Sequence, residues 1–356
     1  MMPLTRIVIF SFISFLISFL LFPVIIKIFK HLKWFDSPGT HKIHSDFVPS
    51  MGGVAIMVGT TIALLMVLPL QQWIIMKYFF VSVALMFLIG LRDDVLALSP
   101  RQKLFSQFLP VFVLVFLDNV TLGSLYGLAG ESSFPLPVMY IVSLFTVIII
   151  SNAYNLIDGI DGLAGTIGFL ALLFFGVWFY LAGQPYLSLL ALTFAGSMAA
   201  FLLFNWQPSS IFMGDTGALT VGLILSFFAV RFINYNFQLP EGQPVKFSAS
   251  VSTSICVLII PLFDTLRVII LRIRNGQSPF HADRKHLHHR LLASGLTHAG
   301  TVKWLAGVNI FFIALALLLK SQPDFIVLPI AILLCLLMSF GLKRQQQSIS
   351  NSQTNA

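Results

Sequence analysis

Long apolar segments separated by short polar connections occupy most of the chain and predict membrane-spanning helices. Apolar residues make up 57% of the 356 residues and charged residues only 10%, which is more apolar surface than a soluble protein buries. Helices of roughly 20 apolar residues match the thickness of a bilayer. We expect an all-α polytopic membrane protein with eleven transmembrane helices, at about 7–26, 51–70, 73–91, 104–117, 138–151, 162–182, 186–204, 217–236, 248–270, 303–320 and 324–341.

The distribution of basic residues predicts the orientation of these helices. An odd number of spans places the two termini on opposite sides of the membrane. With the N-terminus outside, sixteen of the 21 Lys and Arg residues lie in cytoplasmic loops or helix ends, as the positive-inside rule requires. The C-terminus is then cytoplasmic, and the cytoplasmic loops are 27–50, 92–103, 152–161, 205–216 and 271–302.

The remaining global features favour one membrane domain over residues 1–343. The first apolar segment lacks a small-residue cleavage site, which indicates a retained span. The polar segment 344–356 is expected to be a disordered cytoplasmic tail. Cys256 and Cys335 lie in different predicted spans and suggest neither a disulfide nor a metal site. The net charge of +8 follows from the basic cytoplasmic loops, so no nucleic-acid partner is expected.

Four polar clusters, far apart in sequence, fall on the predicted cytoplasmic face. Carboxylates near the membrane interior are costly and usually functional. A chance distribution would place such clusters on both faces, so we expect these four to form one site. The clusters are Asp93-Asp94 after the third span, Asn155, Asp158 and Asp161 after the fifth, Asp215 before the eighth, and the segment 281–290 in the longest cytoplasmic loop.

The two clusters that follow spans each have a simpler structural interpretation. Asp93 and Asp94 could end a helix in solvent, but adjacent carboxylates repel and commonly hold a divalent cation or a proton. Asp161 could cap the sixth span. Capping does not explain three acceptors spaced at i, i+3 and i+6, which Asn155, Asp158 and Asp161 provide.

The other two clusters suit phosphate groups. In Gly214-Asp215-Thr216-Gly217, backbone N–H groups at a helix start suit a phosphate, and the carboxylate suits its metal, although Gly-Asp turns are common. The segment 281–290 could be an ordinary positive-inside loop. A zinc site is disfavoured because no Cys is near and the basic neighbours repel a cation, whereas a diphosphate fits. Together the clusters predict metal-assisted phosphoryl transfer to a lipid at the membrane surface.

These motifs, in this order, resemble the polyprenyl-phosphate N-acetylhexosamine-1-phosphate transferase family. The resemblance implies transfer of a sugar-1-phosphate from a UDP-sugar to a C55-type polyprenyl phosphate, with release of UMP. His41 stands where the family usually has Arg, which leaves an ion-pair role there open. The matching motifs are Asp36-x-Pro38 with His41-Lys42-x-His44 and Pro49-x-x-Gly52-Gly53; Asp93-Asp94 with Lys103; Asn155-x-x-Asp158-Gly-x-Asp161-Gly162; Phe212-x-Gly214-Asp215; and His281-x-Asp283-Arg284-x-His286-Leu-His288-His289-Arg290.

The last motif distinguishes branches of the family. His-x-His-His-Arg at 286–290 resembles the branch that uses UDP-GlcNAc with undecaprenyl phosphate to initiate O-antigen, enterobacterial common antigen or teichoic-acid linkage in the bacterial inner membrane. The peptidoglycan branch, which uses UDP-MurNAc-pentapeptide, typically has three His followed by an acidic residue, and it stays an alternative, as does another UDP-N-acetylhexosamine. A secondary transporter is a distant alternative, since the ionisable groups gather at one surface without an internal repeat.

The resemblance also implies roles for individual residues. Asp215 and Asn155 would hold Mg²⁺ or Mn²⁺. The catalytic set would be Asp93, Asp94, Asp158, His286 and His289, with Asp93 near the attacking phosphate as a potential base. Several relatives act as dimers, so a homodimer is among the implied assemblies. The binding residues would be Asp161 and Phe212 for uracil, Lys103 and Lys42 for the lipid phosphate, and Arg284, His286, His288, His289 and Arg290 for the sugar and diphosphate.

Overall fold

The computed structural model describes residues 2–32, 48–128, 133–278 and 286–354, and these residues are helical with one isolated β-bridge between Ser124 and Ser133. A π-helical turn, Val113–Leu117, follows α5. The helices are α1 (Leu4–Leu32), α2 (Gly52–Val67), α3 (Leu70–Ile75), α4 (Lys77–Val95), α5 (Pro100–Phe112), α6 (Leu136–Leu156), α7 (Leu163–Leu181), α8 (Pro185–Asn205), α9 (Gly214–Gln238), α10 (Ser250–Val257), α11 (Ile259–Arg274), α12 (Leu287–Ala293), α13 (His298–Leu318) and α14 (Asp324–Thr354).

All eleven predicted apolar segments coincide with helices, which confirms a polytopic helical membrane protein. In the described ranges, seven helices are long and apolar enough to cross a membrane, and α10 with α11 makes an eighth candidate if the two count as one span. Helix α2 has only 16 residues, and α4 ends in the charged group Arg92, Asp93 and Asp94. The count of eleven therefore stays a prediction.

The segment predicted as one span over 248–270 is two helices, which meet at an angle of 86°. The break lies at Leu258, just before Pro261 in the first turn of α11. Proline has no N–H to donate to the carbonyl four residues earlier, that of Val257. The side chain of Asn309 on α13 donates to that carbonyl instead, at 3.3 Å.

Helix α14 continues through Thr354, into the segment 344–356 that the sequence analysis expects to be disordered. The segment begins with Arg344 and three glutamines, residues that cost little free energy in a helix. Because extending a formed helix needs no new nucleus, the apolar helix that precedes these polar residues extends through them.

The chain divides into two compact units, and the single membrane domain over residues 1–343 stays a prediction. The first comprises 1–123 and 134–232, and the second comprises 124–133 and 233–356. In the first unit, α9 is the most buried of the seven membrane-length helices. Buried hydroxyls join the surrounding helices, since Ser197 on α8 lies 2.5 Å from Ser14 Oγ on α1 and 2.6 Å from Thr60 Oγ1 on α2. Small residues at such interfaces let helices pack closely.

In the second unit, a buried acid organises the start of α10. The carboxylate of Asp324 accepts hydrogen bonds at 2.6 Å from the backbone N–H and the hydroxyl of Ser252. Asn236, at the end of α9, donates to Ser250 at 2.6 Å. The contact with Asp324 satisfies a backbone N–H group in the first turn of a helix that has no side-chain cap of its own, as the free N–H groups at a helix start require.

Candidate functional site

The start of α9 is held by two carboxylates from other parts of the first unit. Asp94 accepts hydrogen bonds from the backbone N–H groups of Asp215 at 2.7 Å and Thr216 at 2.8 Å, and Asp158 accepts one from the backbone of Gly214. A carboxylate at a helix N-terminus is favourable because it meets unpaired N–H groups and the positive end of the helix dipole. The sequence predicts that these N–H groups face a phosphate, but those of residues 215 and 216 donate to Asp94.

Gly214 permits this arrangement through its backbone conformation. Its φ is +73°, in the left-handed region where only glycine is unstrained. A Cβ at this position would also lie 2.7 Å from the Asp94 carboxylate. Any larger residue would therefore displace the acid that caps the helix.

The side chain of Asp215 lies in a polar cluster with residues from three other helices. Its Oδ1 pairs with the ammonium of Lys103 on α5 and accepts a hydrogen bond of 2.8 Å from Asn155 Nδ2 on α6. The same ammonium lies 3.1 Å from Asp93 Oδ2 on α4. The structure thus brings together the two predicted metal ligands, the predicted phosphate-binding lysine and one predicted catalytic acid.

The segment before α9 is fixed by the predicted motif at 49–53. Gly52 N donates to Phe212 O at 2.8 Å, Gly53 N to Met213 O at 3.0 Å, and Phe212 N to Pro49 O at 2.9 Å. Gly53 lies so close to the backbone of α9 that a Cβ would overlap it. This motif therefore sets the path of the chain into the site.

Helix α4 approaches α9 through a second glycine. A Cβ on Gly90 would lie 2.5 Å from Asp215 O and 2.6 Å from Thr216 Cα. Residues three and four positions further along a helix share its face, so Asp93 and Asp94 are directed to the start of α9 by this close contact.

An amide pair that the sequence analysis missed joins α5 to α6. Asn152 Nδ2 donates to Gln107 Oε1 at 2.8 Å, and Gln107 Nε2 donates back to Asn152 Oδ1 at 3.3 Å. Lys103 lies four residues before Gln107, and Asn155 three after Asn152, so each pair shares a helix face. The pair therefore fixes the register that sets Lys103 and Asn155 around Asp215. A lone Gln in the apolar segment 104–117, one turn after a Lys, was the available signal.

Asp161 does not cap α7, the alternative that the sequence left open. The N-cap is Gly162, with φ +80° and no side-chain cap, while Asp161 Oδ2 accepts from Ser209 N at 3.3 Å. Gly162 N donates to Asn205 Oδ1 at 2.8 Å. Asp161 is thus tied to the segment that leads to Phe212, the other residue predicted to bind uracil.

The carboxylates around Asp158 give the site an excess of negative charge. Burial, followed by the neighbouring carboxylates of Asp215, Asp94 and Asp161 in that order, raises the pKa of Asp158 to about 7. Like charges held close together disfavour ionisation unless a cation balances them. The cluster is therefore suited to bind positive charge.

The same cluster fits a divalent cation that is shared with a substrate. Among the described residues, no three His, Cys, Asp or Glu side chains form a metal site by themselves. Mg²⁺, however, commonly takes one or two carboxylates and completes its coordination with water and substrate phosphates. Asp215 and Asp93 already converge on one cation, Lys103. The donor set therefore fits Mg²⁺.

The histidine motif, His-x-His-His-Arg at 286–290, belongs to the second unit. His286 is the N-cap of α12, and its ring stacks on that of His288 at 5.8 Å, while the rings of His288 and His289 lie 4.3 Å apart. Arg290 follows in the first turn. Lys42 and Arg284, and with them His41, His281 and Asp283, lie outside the described residues.

His288 has no charge to offer a diphosphate. Its side chain is buried, and burial followed by the neighbouring His289 lowers its pKa to about 3. The imidazole is therefore neutral near pH 7, and any contact with a sugar or phosphate would be an uncharged hydrogen bond. This separates His288 from the basic residues with which the motif grouped it.

Asp264 on α11 is a further residue that the sequence patterns did not single out. It is 1% exposed, and its Oδ2 lies 2.9 Å from His286 Nδ1. Its Oδ1 accepts from Arg267 Nη2 and from Leu287 N, each at 2.9 Å. A carboxylate inside a predicted membrane span is itself a sign of function, and Asp264 lies inside the predicted span 248–270.

Comparison with known proteins places these motifs in a family. The family model "Glycosyl transferase family 4" matches residues 76–233, which include every described site residue of the first unit except the 49–53 segment. The chain is 31% identical over 340 residues, 94% of this chain and 90% of the relative, to the probable undecaprenyl-phosphate N-acetylglucosaminyl 1-phosphate transferase of Bacillus subtilis (strain 168).

Two enterobacterial proteins show the same similarity at lower identity. Both are named undecaprenyl-phosphate alpha-N-acetylglucosaminyl 1-phosphate transferase. The Yersinia pestis protein is 28% identical over 317 residues, 87% of this chain and 84% of that protein. The Escherichia coli (strain K12) protein is 25% identical over 327 residues, 89% and 86% of the two chains.

Proposed function

The chain belongs to glycosyl transferase family 4, and we propose that it transfers GlcNAc-1-phosphate from UDP-GlcNAc to undecaprenyl phosphate. The products are undecaprenyl-diphospho-GlcNAc and UMP. Relatives from three species carry the name of this activity. The observation that carries the proposal is the convergence of Asp215, Asp93, Asn155 and Lys103 at the start of α9.

Mg²⁺, or Mn²⁺ in its place, is the proposed cofactor. Asp215 and Asn155 would hold it, with Asp93 beside them, because their oxygen atoms are the ligands that such cations prefer. When bound, the metal neutralises charge on the diphosphate of the donor and on the departing UMP. Lys103 then remains available, within the same cluster, for the phosphate of the lipid.

The reaction forms one phosphorus–oxygen bond and breaks another. An oxygen of the lipid phosphate attacks the β-phosphorus of UDP-GlcNAc, and the bond from that phosphorus to the bridging oxygen breaks to release UMP. A phosphate monoester has a second pKa of roughly 6, so the acceptor is already mostly a dianion near neutral pH. Asp93 therefore need not remove a proton, and its contact with Lys103 suits it to position the lysine.

Positioning and charge balance are then the main catalytic contributions of the chain. Lys103 orients the acceptor phosphate. Asp94 keeps Asp215 in place by binding the backbone of residues 215 and 216, which makes Asp94 a positioning residue. Asp158 supports the same turn through Gly214.

The donor and the lipid involve further residues under this proposal. Asp161 and Phe212, joined to one segment of the first unit, would bind uracil. Lys42 would assist Lys103 with the lipid phosphate. In the histidine motif, the proposed contacts to the sugar and diphosphate are Arg284, His286, His289 and Arg290, with His288 as a neutral partner.

The proposed location is the bacterial inner membrane, with the site on the cytoplasmic face and the N-terminus outside. Helices at all eleven predicted spans and the basic cytoplasmic loops support this orientation. UDP-GlcNAc is soluble and cytoplasmic whereas the acceptor is a membrane lipid, so a site at that surface meets both. A homodimer is proposed from the resemblance alone.

A panel of donors tests the proposal. Purified protein with Mg²⁺ and undecaprenyl phosphate is incubated separately with UDP-GlcNAc, UDP-GalNAc and UDP-MurNAc-pentapeptide, and UMP is measured with and without the lipid. We expect lipid-dependent release of UMP with UDP-GlcNAc and loss of release in EDTA. Consumption of UDP-MurNAc-pentapeptide alone would assign the chain to the peptidoglycan branch, and turnover that persists in EDTA would remove the metal from the mechanism.

A further inference from the structure

A buried carboxylate in the second unit contacts the first histidine of the motif, outside all the clusters that the sequence analysis singled out. Asp264 lies on α11, and both of its oxygens are used. Oδ1 accepts from Arg267 Nη2 and Leu287 N, and Oδ2 lies 2.9 Å from His286 Nδ1. A carboxylate that is paired with a guanidinium accepts hydrogen bonds and donates none.

This geometry determines which nitrogen of His286 carries a proton. Because Asp264 only accepts, Nδ1 must be the donor, and Nε2 is the ring nitrogen left to meet another group. The bond to Leu287 N holds the first residue of α12 at the same time. One carboxylate therefore fixes both the tautomer of His286 and the place where the helix carrying His288, His289 and Arg290 begins.

We propose that Asp264 is a positioning residue for the transferase reaction: by holding Nδ1 of His286, it presents Nε2 of the same ring to the sugar diphosphate of the donor. Arg267 balances the buried charge of Asp264 and completes its hydrogen bonds. The kinetic consequence rests on the proposed function, whereas the structural one, the protonation of Nδ1, does not. Carboxylates that orient an imidazole in this way recur in catalytic and metal sites.

A double-mutant cycle separates positioning from a structural role. In full-length purified protein, Asp264→Asn is expected to lower kcat/KM for UDP-GlcNAc on the order of 10- to 100-fold. In the His286→Ala background, Asp264→Asn should change kcat/KM less than about twofold, because the residue it orients is gone. Asp264→Glu keeps the carboxylate and is expected to retain more activity than Asp264→Asn.

The matched control is Asp324→Asn. Asp324 is as buried as Asp264, at 1% exposure, lies in the same unit and binds Ser252 through its carboxylate. Its variant should lower the unfolding temperature in detergent without lowering kcat. If Asp264→Asn lowers only the unfolding temperature, as Asp324→Asn does, Asp264 serves the fold alone and the proposal is wrong. The same holds if the fold-loss of kcat/KM in Asp264→Asn and that in His286→Ala multiply in the double variant.

A second readout does not depend on turnover. In protein labelled with ¹⁵N-histidine, the ring signals that His286→Ala removes identify His286, and they should show Nδ1 protonated in the wild type. Asp264→Asn or Asp264→Glu should shift those signals, since each changes the partner of Nδ1. Unchanged His286 signals in both variants would overturn the proposal. If the wild type does not consume UDP-GlcNAc, the proposed function fails, and the ¹⁵N comparison alone decides the role of Asp264.

Discussion

Single carboxylates organise the predicted site residues within each unit at the scale of residues. Asp94 caps α9, Asp215 pairs with Lys103 and Asn155, and Asp264 binds His286. Each carboxylate is shared between elements that are distant in sequence. The loss of one therefore affects several contacts, which makes these residues the most informative to change.

Replacement of Asp215 by Asn should abolish most turnover while keeping the shape of the side chain. The variant loses the charge that faces Lys103 and would hold the metal, so we expect kcat to fall by at least about 100-fold, the scale on which electrostatic groups in active sites contribute. The measurement is UMP release at saturating substrates.

Asp118→Asn is the control for that experiment. Asp118 is a carboxylate of the same unit, paired with Arg231 at 2.9 Å and away from the cluster around Lys103. Its replacement should lower the unfolding temperature without lowering kcat. Equal kcat values for Asp215→Asn and the wild type would remove Asp215 from the site.

The stability of the protein should depend on pH through His288. Burial, followed by the neighbouring His289, lowers the pKa of His288 from 6.5 to about 3. His286 and His298 also lower this pKa, whereas the carboxylate of Asp264 raises it. A depressed pKa contributes stability above the unfolded value, and this contribution is lost as pH falls from about 6.5 towards 3. When the pH is lowered from 7.5 to 5, the unfolding temperature of His288→Gln should therefore fall less than that of the wild type.

The control for the pH experiment is His31→Gln, at the exposed end of α1. This variant should keep the pH dependence of the wild type, measured by thermal unfolding in detergent. If the unfolding temperatures of His288→Gln and the wild type fall by the same amount on acidification, His288 is not held neutral by its surroundings.

Among elements, the amide pair between α5 and α6 determines how Lys103 and Asn155 face each other. Asn152→Ala leaves the fully buried amide of Gln107 without its partner, which should cost about 1–3 kcal/mol and reduce turnover through the loss of register. Replacing both residues by Leu removes the unpaired group, so stability should recover relative to Asn152→Ala. A double variant less stable than the single one would contradict this account of the pair.

The contact of α4 with α9 depends on the absence of a side chain at residue 90. In Gly90→Ala, the new Cβ would lie 2.5 Å from Asp215 O, so the helices must separate and carry Asp93 and Asp94 with them. We expect lower unfolding temperature and lower turnover. Gly307→Ala, where nothing lies within 4 Å of the Cβ, is the matched control and should cost neither. Equal behaviour of the two variants would show that the close contact is unimportant.

The positions of the helices followed from hydropathy, but their interruptions did not. The run 248–270 reads as one mostly apolar segment, and its break depends on Pro261 together with Asn309 on α13, whose side chain donates to the carbonyl of Val257. Gln107 and Asn152 likewise acquire their roles only when α5 and α6 are side by side. Pairings between distant segments are not encoded in local periodicity.

For the whole molecule, the sequence motifs indicated which side chains of the first unit gather, and the structure defines what they do there. Asp93, Lys103, Asn155 and Asp215 were expected in one site and lie in contact. Asp94, predicted in the catalytic set, caps α9 where α4 and α9 meet at Gly90, and its catalytic role stays a prediction. Asp264 was missed because a single acid in an apolar run has no neighbouring motif to draw attention to it.

The central claim is that a sugar phosphate, and not the sugar alone, moves to the lipid. The most direct measurement uses UDP-GlcNAc labelled with ³²P in its β-phosphate, together with purified protein, Mg²⁺ and undecaprenyl phosphate. The account predicts that the label enters the lipid fraction in equal amount to the UMP released. Release of labelled UDP with an unlabelled glycolipid would show transfer of the sugar alone and contradict the account.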